Sequence, residues 1–306
     1  MAAIVVQDLR RDYGALTAVD GLSFDVAEGE LFALLGPNGA GKTTTVEILT
    51  GHRRRSSGDV RVLGFDPQTG GRAYRQRIGV VLQSAGFEED FTVRELVDLQ
   101  RRLYPRVYGT DAVIDLVGLA DKRDARVKVL SGGQRRRLDL ALGIVGAPDL
   151  LFLDEPTTGF DPAARHHAWA LVRRLREFGT TVLLTTHYMD EAEHLADRVA
   201  VVKAGRLVAL GRPGELGGTA GEHVLRFELP AGVPCADLPA LSGRTVPAGP
   251  GDGAAVVVHT RDPLRDTHAV TGWAVERGLV LSGLTLTRPT LEDVYLQLTG
   301  DGDDHG

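Results

Sequence analysis

Apolar residues along the first two thirds of the chain form short runs that are separated by amphipathic segments. The runs predict strands at residues 4–6, 22–26, 31–35, 78–82, 150–153, 182–186 and 199–202. Segments with apolar residues three or four positions apart predict helices between them. Because strands that alternate with helices form a sheet covered on both faces, the pattern predicts an α/β fold with a mainly parallel sheet.

Capping residues mark where these helices begin and end. A helix is predicted at about 43–50, with Gly51 at the position where a left-handed residue commonly ends a helix. The section at about 90–147 is predicted to be mostly helical, with capping boxes at Thr92 with Glu95 and at Ser131 with Gln134. Further helices are predicted after Asp161-Pro162 and from Met189.

A change of composition after about residue 211 predicts a second domain. The segment 211–221 is rich in Gly and contains Pro213, which is typical of a linker. Beyond it, the pattern predicts a small α+β module with strands at 224–229, 254–259 and 279–286, a helix at 263–277, and a second helix from Thr290 with Asp293. We therefore expect a domain at 1–215, with a helical subdomain at about 90–147, and an accessory domain at 222–300.

Charge and cysteine usage restrict the class of function. The net charge of −6 argues against nucleic acid as the main partner, because a protein that binds a phosphate backbone normally carries a basic face. The arginine runs at 53–55 and 135–137 are predicted to be solvated helix faces. Cys235 is the only cysteine, which suits a reducing cytosol. No run approaches the roughly 18 apolar residues of a membrane helix, so we expect any membrane function to come from a separate chain.

Residues 36–43 and 150–155 carry candidate phosphate chemistry. The first segment reads Gly-Pro-Asn-Gly-Ala-Gly-Lys-Thr, between a predicted strand and a predicted helix. In this pattern the glycines turn backbone N–H groups towards phosphate, Lys42 reaches the β- and γ-oxygens, and the Thr43 hydroxyl ligates Mg²⁺. The second segment ends in Asp154, placed to hold Mg²⁺, and Glu155, placed to accept a proton from attacking water.

A second glycine pair lies in the pentapeptide Leu130-Ser131-Gly132-Gly133-Gln134, which opens a predicted helix. This helix end offers another cluster of backbone N–H donors for phosphate. If the helix start after the 36–43 loop and the helix start at the pentapeptide of one chain both bound the same nucleotide, they would crowd it. The economical geometry is therefore two copies of the chain, each binding one ATP with its own 36–43 loop and reaching the other ATP with its pentapeptide. A plain cap at Ser131 is the alternative.

With these motifs in this order, residues 3–215 resemble the ATP-binding cassette (ABC) family. The resemblance implies a P-loop NTPase core with a mainly parallel sheet, an antiparallel β subdomain and a helical subdomain. It also implies ATP and Mg²⁺ as cofactors and an ATP-dependent homodimer. Finally, it implies a separate transmembrane permease subunit that holds the chain at the cytoplasmic face of the cell membrane.

The resemblance also implies roles for individual residues. Glu155, His187 and Gln83 are the implied catalytic residues, and Thr43, Gln83 and Asp154 the implied metal ligands. Tyr13 matches the platform for adenine, for which a core tyrosine is the alternative, and Asp161 lies in the dimer-contact loop. The implied nucleotide contacts are Tyr13, Gly36, Pro37, Asn38, Gly39, Ala40, Gly41, Lys42, Thr43, Thr44, Ser131, Gly132, Gly133, Gln134 and Asp161.

Residues 186–193 and 288–295 are similar to the drug-resistance branch of the family, typified by daunorubicin and doxorubicin exporter ATPases. This similarity implies export of a drug-like, anthracycline-type compound. Relatives with the same stretches move lipids, polysaccharides or ions, and these cargoes stay open as alternatives. So do an ABC ATPase that acts on nucleic acid or ribosomes and a regulatory module that binds nucleotide without turnover.

Overall fold

The computed structural model describes residues 1–82, 86, 88–177, 179–216, 223–230, 232–248 and 255–287. The chain folds into two compact units, residues 1–212 and residues 213–306. In chain order, the first unit contains β1 (Ala2–Tyr13), β2 (Leu16–Ala27), β3 (Leu31–Leu35), α1 (Lys42–Leu49), β4 (Ser57–Val62), α2 (Gly71–Arg75), β5 (Ile78–Val81), α3 (Val93–Arg101), α4 (Thr110–Leu116), α5 (Gly132–Ile144), β6 (Leu150–Asp154), α6 (Pro162–Glu177), β7 (Thr181–Thr186), α7 (Met189–Leu195), β8 (Arg198–Lys203) and β9 (Arg206–Gly211).

A six-stranded sheet forms the centre of the first unit, in the order β5-β6-β7-β3-β8-β9. Its first five strands are parallel, and β9 runs antiparallel to β8. Every residue of β3, β6 and β7 is buried, which explains why these strands are apolar runs rather than alternating patterns. The predicted α/β class with a mainly parallel sheet is confirmed.

A second, antiparallel sheet of order β2-β1-β4 shares its hydrophobic core with the central sheet. Phe24 of β2 stacks on Phe32 of β3, with ring centroids 5.3 Å apart. Ile4, Val46 and Phe152 belong to the same buried cluster. This core fixes β1 and β2 beside α1, which follows the 36–43 loop.

Helices α3, α4 and α5 lie in the section that the sequence predicts to be helical, with two 3-10 turns at Ala120–Lys122 and Val127–Val129. Both predicted capping boxes are formed, Thr92 with Glu95 at α3 and Ser131 with Gln134 at α5. In the described ranges, each helix is too short or too polar to span a lipid bilayer.

The second unit contains α8 (Pro213–Leu216), β10 (His223–Glu228), β11 (Arg244–Ala248), β12 (Ala255–Thr260), α9 (Pro263–Glu276) and β13 (Ser282–Thr287). Its strands form an antiparallel sheet of order β11-β12-β10-β13. Phe227, Val256 and Val270 belong to its core, together with Trp273 of α9. The helix predicted from Thr290 lies outside the described residues.

The expectation that both arginine runs are solvated helix faces is wrong for the first run and for Arg136 of the second. Residues 53–55 lie in a loop, where the Arg55 guanidinium donates to both carboxylate oxygens of Asp66 at 2.9 and 2.7 Å. In the second run, the Arg136 side chain is only 13% exposed. Pairing with a carboxylate and with backbone carbonyls lets these two guanidinium groups be withdrawn from water.

Asp266 of α9 is a buried carboxylate that joins this helix to the segment before β11 by hydrogen bonds. It is 1% exposed and accepts hydrogen bonds from Ser242 N at 2.8 Å, Ser242 Oγ at 2.8 Å and Gly243 N at 3.1 Å. We expect Asp266→Ala to lower the free energy of unfolding of this unit by about 3 kcal/mol, because buried N–H donors lose their acceptor. Denaturant unfolding followed by Trp273 fluorescence, in a Trp169→Phe background, measures this change. The exposed Asp237→Ala is the control, and an equal loss in both variants would contradict the expectation.

The same carboxylate gives this unit a pH dependence. Burial alone would raise the pKa of Asp266, but hydrogen bonds from Thr260, Ser242 and Gly243 outweigh it and lower the pKa below its ordinary value of 3.8. Because the pKa is lowered, the contribution of the Asp266 carboxylate to the free energy of unfolding is fully present above pH 3.8. This contribution is lost as the pH falls below 3.8. We therefore expect the difference between wild type and Asp266→Ala to be constant from pH 5 to 8 and to shrink below about pH 4.

Candidate active site

Three neighbouring parallel strands, β6, β7 and β3, end at one edge of the central sheet. The 36–43 loop follows β3, Glu155 follows Asp154 at the end of β6, and His187 follows β7. Ligands of open α/β sheets bind outside the carboxyl ends of the strands. The fold therefore brings three separately predicted elements to one place.

Glycines are required at two positions of the 36–43 loop by the backbone packed against them. A Cβ atom at Gly36 would lie 2.2 Å from the carbonyl oxygen of Val202, and one at Gly41 would lie 2.4 Å from that of Ala18. Gly41 also has a φ of +96° at the start of α1. The loop and the first turn of α1 thus expose backbone N–H groups in the manner of an anion site. Pro37, Asn38, Gly39 and Thr43 are exposed, Thr44 is half-buried, and Ala40 is buried.

Lys42 is a buried cation at the centre of the site. Its side chain is 4% exposed, and Nζ donates to the carbonyl oxygens of Gly36 at 2.8 Å and Pro37 at 3.1 Å. Nζ also lies 3.3 Å from Glu155 Oε1. A withdrawn ammonium group with acceptors on one side fits a negatively charged phosphate on the other.

Asp154 is buried beside two threonine hydroxyls. Thr185 Oγ1 donates to Asp154 Oδ1 at 2.5 Å, and Thr43 Oγ1 donates to the same oxygen at 3.3 Å. Burial raises the pKa of Asp154 in spite of these two hydrogen bonds. The Thr43 hydroxyl and the Asp154 carboxylate therefore place two hard oxygen ligands together, of the kind that Mg²⁺ prefers.

Glu155 adopts an unusual backbone conformation, with a φ of +48°. Its carboxylate lies 3.3 Å from Lys42 Nζ and 3.3 Å from His187 Nδ1, and it accepts a hydrogen bond from Thr158 Oγ1 at 3.2 Å. Burial alone would raise the pKa of Glu155, but Lys42 and His187 outweigh it and lower the pKa. The two adjacent carboxyls, Asp154 and Glu155, thus have pKa values shifted in opposite directions.

The pentapeptide residues lie at the exposed start of α5, and their hydrogen bonds are local. Ser131 N donates to Gln134 Oε1 at 2.9 Å, and Gln134 N donates to Ser131 Oγ at 3.3 Å. Ser131 and Gly132 are exposed, and Gly133 is half-buried. Within the ranges that the structure describes, neither Ser131 nor Gln134 is hydrogen-bonded to the 36–43 loop. One copy of the chain therefore does not join these two predicted phosphate-binding elements by a direct hydrogen bond.

Three predicted residues remain, of which two lie in the described chain and make local contacts. Tyr13 ends β1 and is half-buried, with the guanidinium groups of Arg11 and Arg53 at 4.5 and 5.2 Å from its ring centroid. Asp161 is exposed and caps α6, since its Oδ1 accepts a hydrogen bond from Ala164 N at 2.8 Å. Gln83 lies outside the described residues.

The donor set at the strand ends fits a nucleoside triphosphate with a divalent cation. Backbone N–H groups and Lys42 suit phosphate, and Thr43 with Asp154 suits a hard metal ion. Among the described residues, no group of three or more His, Cys, Asp or Glu side chains could hold a metal. That finding is compatible with Mg²⁺, which is usually bound by one or two carboxylates and completed by substrate phosphates and water.

Two residues of the site, and a buried glutamate outside it, were not selected from the sequence. Thr185 donates to Asp154 and Thr158 donates to Glu155, and the third residue, Glu191, is 0% exposed. Glu191 Oε1 accepts hydrogen bonds from Thr157 Oγ1 at 2.9 Å and Trp169 Nε1 at 3.0 Å. A carboxylate inside the apolar face of α7 was the available signal, because a glutamate is almost never fully buried without a partner.

The buried environment of Glu191 disfavours a charge on this side chain. Burial raises the pKa of Glu191 above its ordinary value, which means that the surroundings of this side chain disfavour its charge; a glutamine has the same shape without the charge. We expect Glu191→Gln to change the free energy of unfolding by less than about 1 kcal/mol, and Glu191→Ala to lower it by about 3 kcal/mol by leaving two donors unpaired. Denaturant unfolding at pH 7 measures both.

The sign of the pH dependence provides a second check on Glu191. A raised pKa means that wild type loses stability as the pH climbs above the ordinary value of 4.5, whereas the glutamine variant does not. The free energy of unfolding of Glu191→Gln should therefore rise relative to that of wild type as the pH increases from 5 to 8. A growing deficit of this variant over the same interval would show that the carboxylate is stabilising.

Comparisons with known proteins agree with this geometry. Residues 19–158 match the family described as ABC transporter, and residues 223–290 match the C-terminal domain of ABC transporter domain-containing proteins. The chain is 41% identical to the daunorubicin/doxorubicin resistance ATP-binding protein DrrA of Streptomyces peucetius, over 97% of this chain and 92% of that protein. It is also 41% identical to Nod factor export ATP-binding protein I of Ralstonia nicotianae, over 96% and 93%.

Solved structures show the same fold over about 70% of the chain. An ATP-binding subunit of an ABC transporter superposes with a TM-score of 0.64 and 25% identity, over 70% of this chain and 91% of that one. The protein cbiO1 of Clostridium perfringens, part of an ABC transporter complex, superposes with a TM-score of 0.62 and 28% identity, over 70% and 90%. The chain therefore belongs to the ABC transporter family, as a protein that binds and hydrolyses ATP.

Proposed function

We propose that the chain is the ATP-hydrolysing subunit of an exporter whose membrane-spanning part is a separate permease, and that the exported compound is a drug-like molecule of the anthracycline type. The observation that carries the proposal is the convergence of Lys42, Glu155 and His187 at the ends of neighbouring strands. Similarity to a daunorubicin/doxorubicin resistance protein over nearly the whole chain supports the cargo. The chain would then work at the cytoplasmic face of the cell membrane, bound to its permease.

The proposed chemistry is in-line hydrolysis of the γ-phosphate. Lys42 and the 36–43 N–H groups bind the phosphates, and Glu155 accepts a proton as a water oxygen bonds to the γ-phosphorus and the bond to ADP breaks. His187 touches the same carboxylate and holds it in position. Thr43 and Asp154, with Gln83, would hold Mg²⁺, which neutralises charge on the phosphate oxygens.

We further propose that two copies of the chain enclose each ATP. The start of α5 offers the N–H groups of Gly132 and Gly133 beside the exposed Ser131, whose own N–H is bonded to Gln134 Oε1 within the cap. A second copy related by two-fold symmetry can bring these groups to the γ-phosphate bound at the 36–43 loop of the first. Tyr13 then supports the adenine, and Asp161 contacts the partner. In this scheme residues 1–215 are the nucleotide-binding domain and residues 222–300 an accessory domain.

Export of a Nod-factor-type compound is the second candidate, because such a relative matches with the same identity and similar coverage. Inverted membrane vesicles that contain the chain and a permease encoded beside it separate the two cargoes. We expect ATP-dependent uptake of doxorubicin, which Glu155→Gln abolishes. Uptake of a Nod factor without uptake of doxorubicin would support the second candidate, and co-purification with nucleic acid rather than with the permease would contradict both.

A further inference from the structure

Arg136 connects α5 to the backbone around Glu155. Its Nε donates to the carbonyl oxygen of Pro156 at 3.1 Å, and Nη2 donates to those of Asp154 at 3.0 Å and Glu155 at 3.1 Å. Nη1 donates to the carbonyl oxygen of Leu82, at the end of β5. The Arg136 side chain thus donates to three successive carbonyl groups, those of residues 154–156, and to one carbonyl group that follows the neighbouring strand β5.

These contacts fix a backbone that is otherwise unfavourable. The φ of +48° at Glu155 is uncommon for a residue with a side chain and persists only where surrounding contacts hold it. Thr185 holds the N–H of Glu155 from one side, through its carbonyl oxygen and its hydroxyl at 3.1 Å each. Arg136 holds the carbonyl from the other side. The direction of the Glu155 carboxylate therefore depends on where α5 places Arg136.

The neighbouring arginines make no such connection in the described part of the chain. Arg135 contacts Glu89 Oε1 at 3.1 Å and the carbonyl oxygen of Lys128 at 3.3 Å, and Arg137 donates to the carbonyl oxygen of Gly118 at 3.0 Å. All of these partners lie in the section at 88–147 together with α5. The three successive arginines thus have the same chemistry but different partners, which makes two of them matched controls for the third.

Ser131 caps the start of helix α5 and lies five residues before Arg136. At 1.5 Å of rise per residue, the cap and the Arg136 backbone are about 7.5 Å apart along a rigid axis. The same short helix therefore carries a phosphate-binding element at its start and a contact to the carbonyl of Glu155 in its second turn. A displacement of the helix start must move both.

We propose that Arg136 is a positioning residue that couples the two ATP sites of a dimer. This inference rests on the proposed arrangement in which Ser131 of a chain contacts the ATP bound by the partner, while Glu155 of the same chain acts on its own ATP. When the start of α5 binds the γ-phosphate of the ATP held by the partner, it fixes the position of Arg136. Arg136 in turn fixes the position of the Glu155 carbonyl. Occupancy of one site is thereby transmitted to the catalytic base of the other.

The guanidinium shape is essential to this role. Its planar fork supplies separate N–H groups to four acceptors, whereas the ammonium of a lysine is a single point charge on a flexible stem. Lysine therefore preserves the charge at position 136 but not the connection between Leu82 and the Glu155 segment. Both Arg136→Lys and Arg136→Gln should uncouple the sites.

The test is the ATP dependence of hydrolysis by the purified full-length chain, with Arg135→Gln and Arg137→Gln as controls. We expect a Hill coefficient above 1 for wild type and both controls. For Arg136→Lys and Arg136→Gln we expect a Hill coefficient near 1 and a kcat lower by about tenfold to hundredfold, with KM changed little, because a base displaced by about 1 Å loses this much rate. Thermal unfolding and binding of a fluorescent ATP analogue identify variants that are folded.

A kcat and a Hill coefficient like those of the controls in either folded Arg136 variant would overturn the proposal, as would a wild type without cooperativity. A role in stability alone would lower the melting temperature and leave both kinetic values unchanged. If Arg136→Gln does not fold, Arg136→Lys provides the same test. A different result would show that the two-copy arrangement itself is wrong. In that case Glu155→Gln would form no dimer with ATP, whichever residue occupies position 136.

Discussion

Glu155→Gln is expected to lower steady-state ATP hydrolysis by at least about a hundredfold, the usual contribution of a general base, while ATP binding is kept. Glutamine has the shape of glutamate but cannot accept the proton of the attacking water. Because the γ-phosphate then stays in place, the variant should accumulate as a dimer that contains unhydrolysed ATP. Phosphate release measures the first effect, and size-exclusion chromatography with light scattering measures the second.

Glu191→Gln is the matched control for this variant. It makes the same chemical change at a buried glutamate, which contacts Thr157 and Trp169 instead of Lys42 and His187. We expect the control to hydrolyse ATP within about twofold of wild type, because the glutamine oxygen can still accept the hydrogen bonds from Thr157 and Trp169. Turnover of Glu155→Gln at the rate of this control would remove Glu155 from the chemistry.

Lys42→Ala is expected to weaken ATP binding by about a hundredfold or more, since charge-assisted hydrogen bonds to phosphate contribute roughly 1.5–3 kcal/mol each. The substitution also takes away the positive charge nearest to Glu155, and the pKa of that carboxyl should move upwards. Titration with a fluorescent ATP analogue measures the affinity. The exposed Lys122→Ala is the control, and an affinity of Lys42→Ala within about threefold of this control would contradict the assigned role.

The sequence predicts the central elements of the fold well because their signals are contiguous. Strands β3, β6 and β7 are buried on both faces and are therefore unbroken apolar runs. Strand β9 was missed, since it lies at a sheet edge with every residue at least partly exposed and shows no alternation. The predicted linker consequently begins inside a strand, and α8 occupies a further part of it.

The residues of the site also fall into those that a local sequence pattern marks and those that only contacts between distant segments reveal. The 36–43 loop and the pair Asp154-Glu155 are local patterns, and the sequence alone predicts them as site residues. The contacts of Arg136 depend on segments 18 to 54 residues away in the chain, which no local pattern reveals. One signal was nevertheless available, because residues on a helix are about 100° apart and three successive arginines cannot all face solvent on a helix that packs against a core.

The central claim is that an ATP site is completed only by a second copy of the chain. The most direct measurement is the specific ATPase activity of the purified chain at saturating Mg-ATP over about three decades of protein concentration, with the oligomeric state recorded at each step. The account predicts that activity per molecule falls on dilution in parallel with the fraction of dimer. A specific activity that stays constant while the protein is monomeric would contradict it.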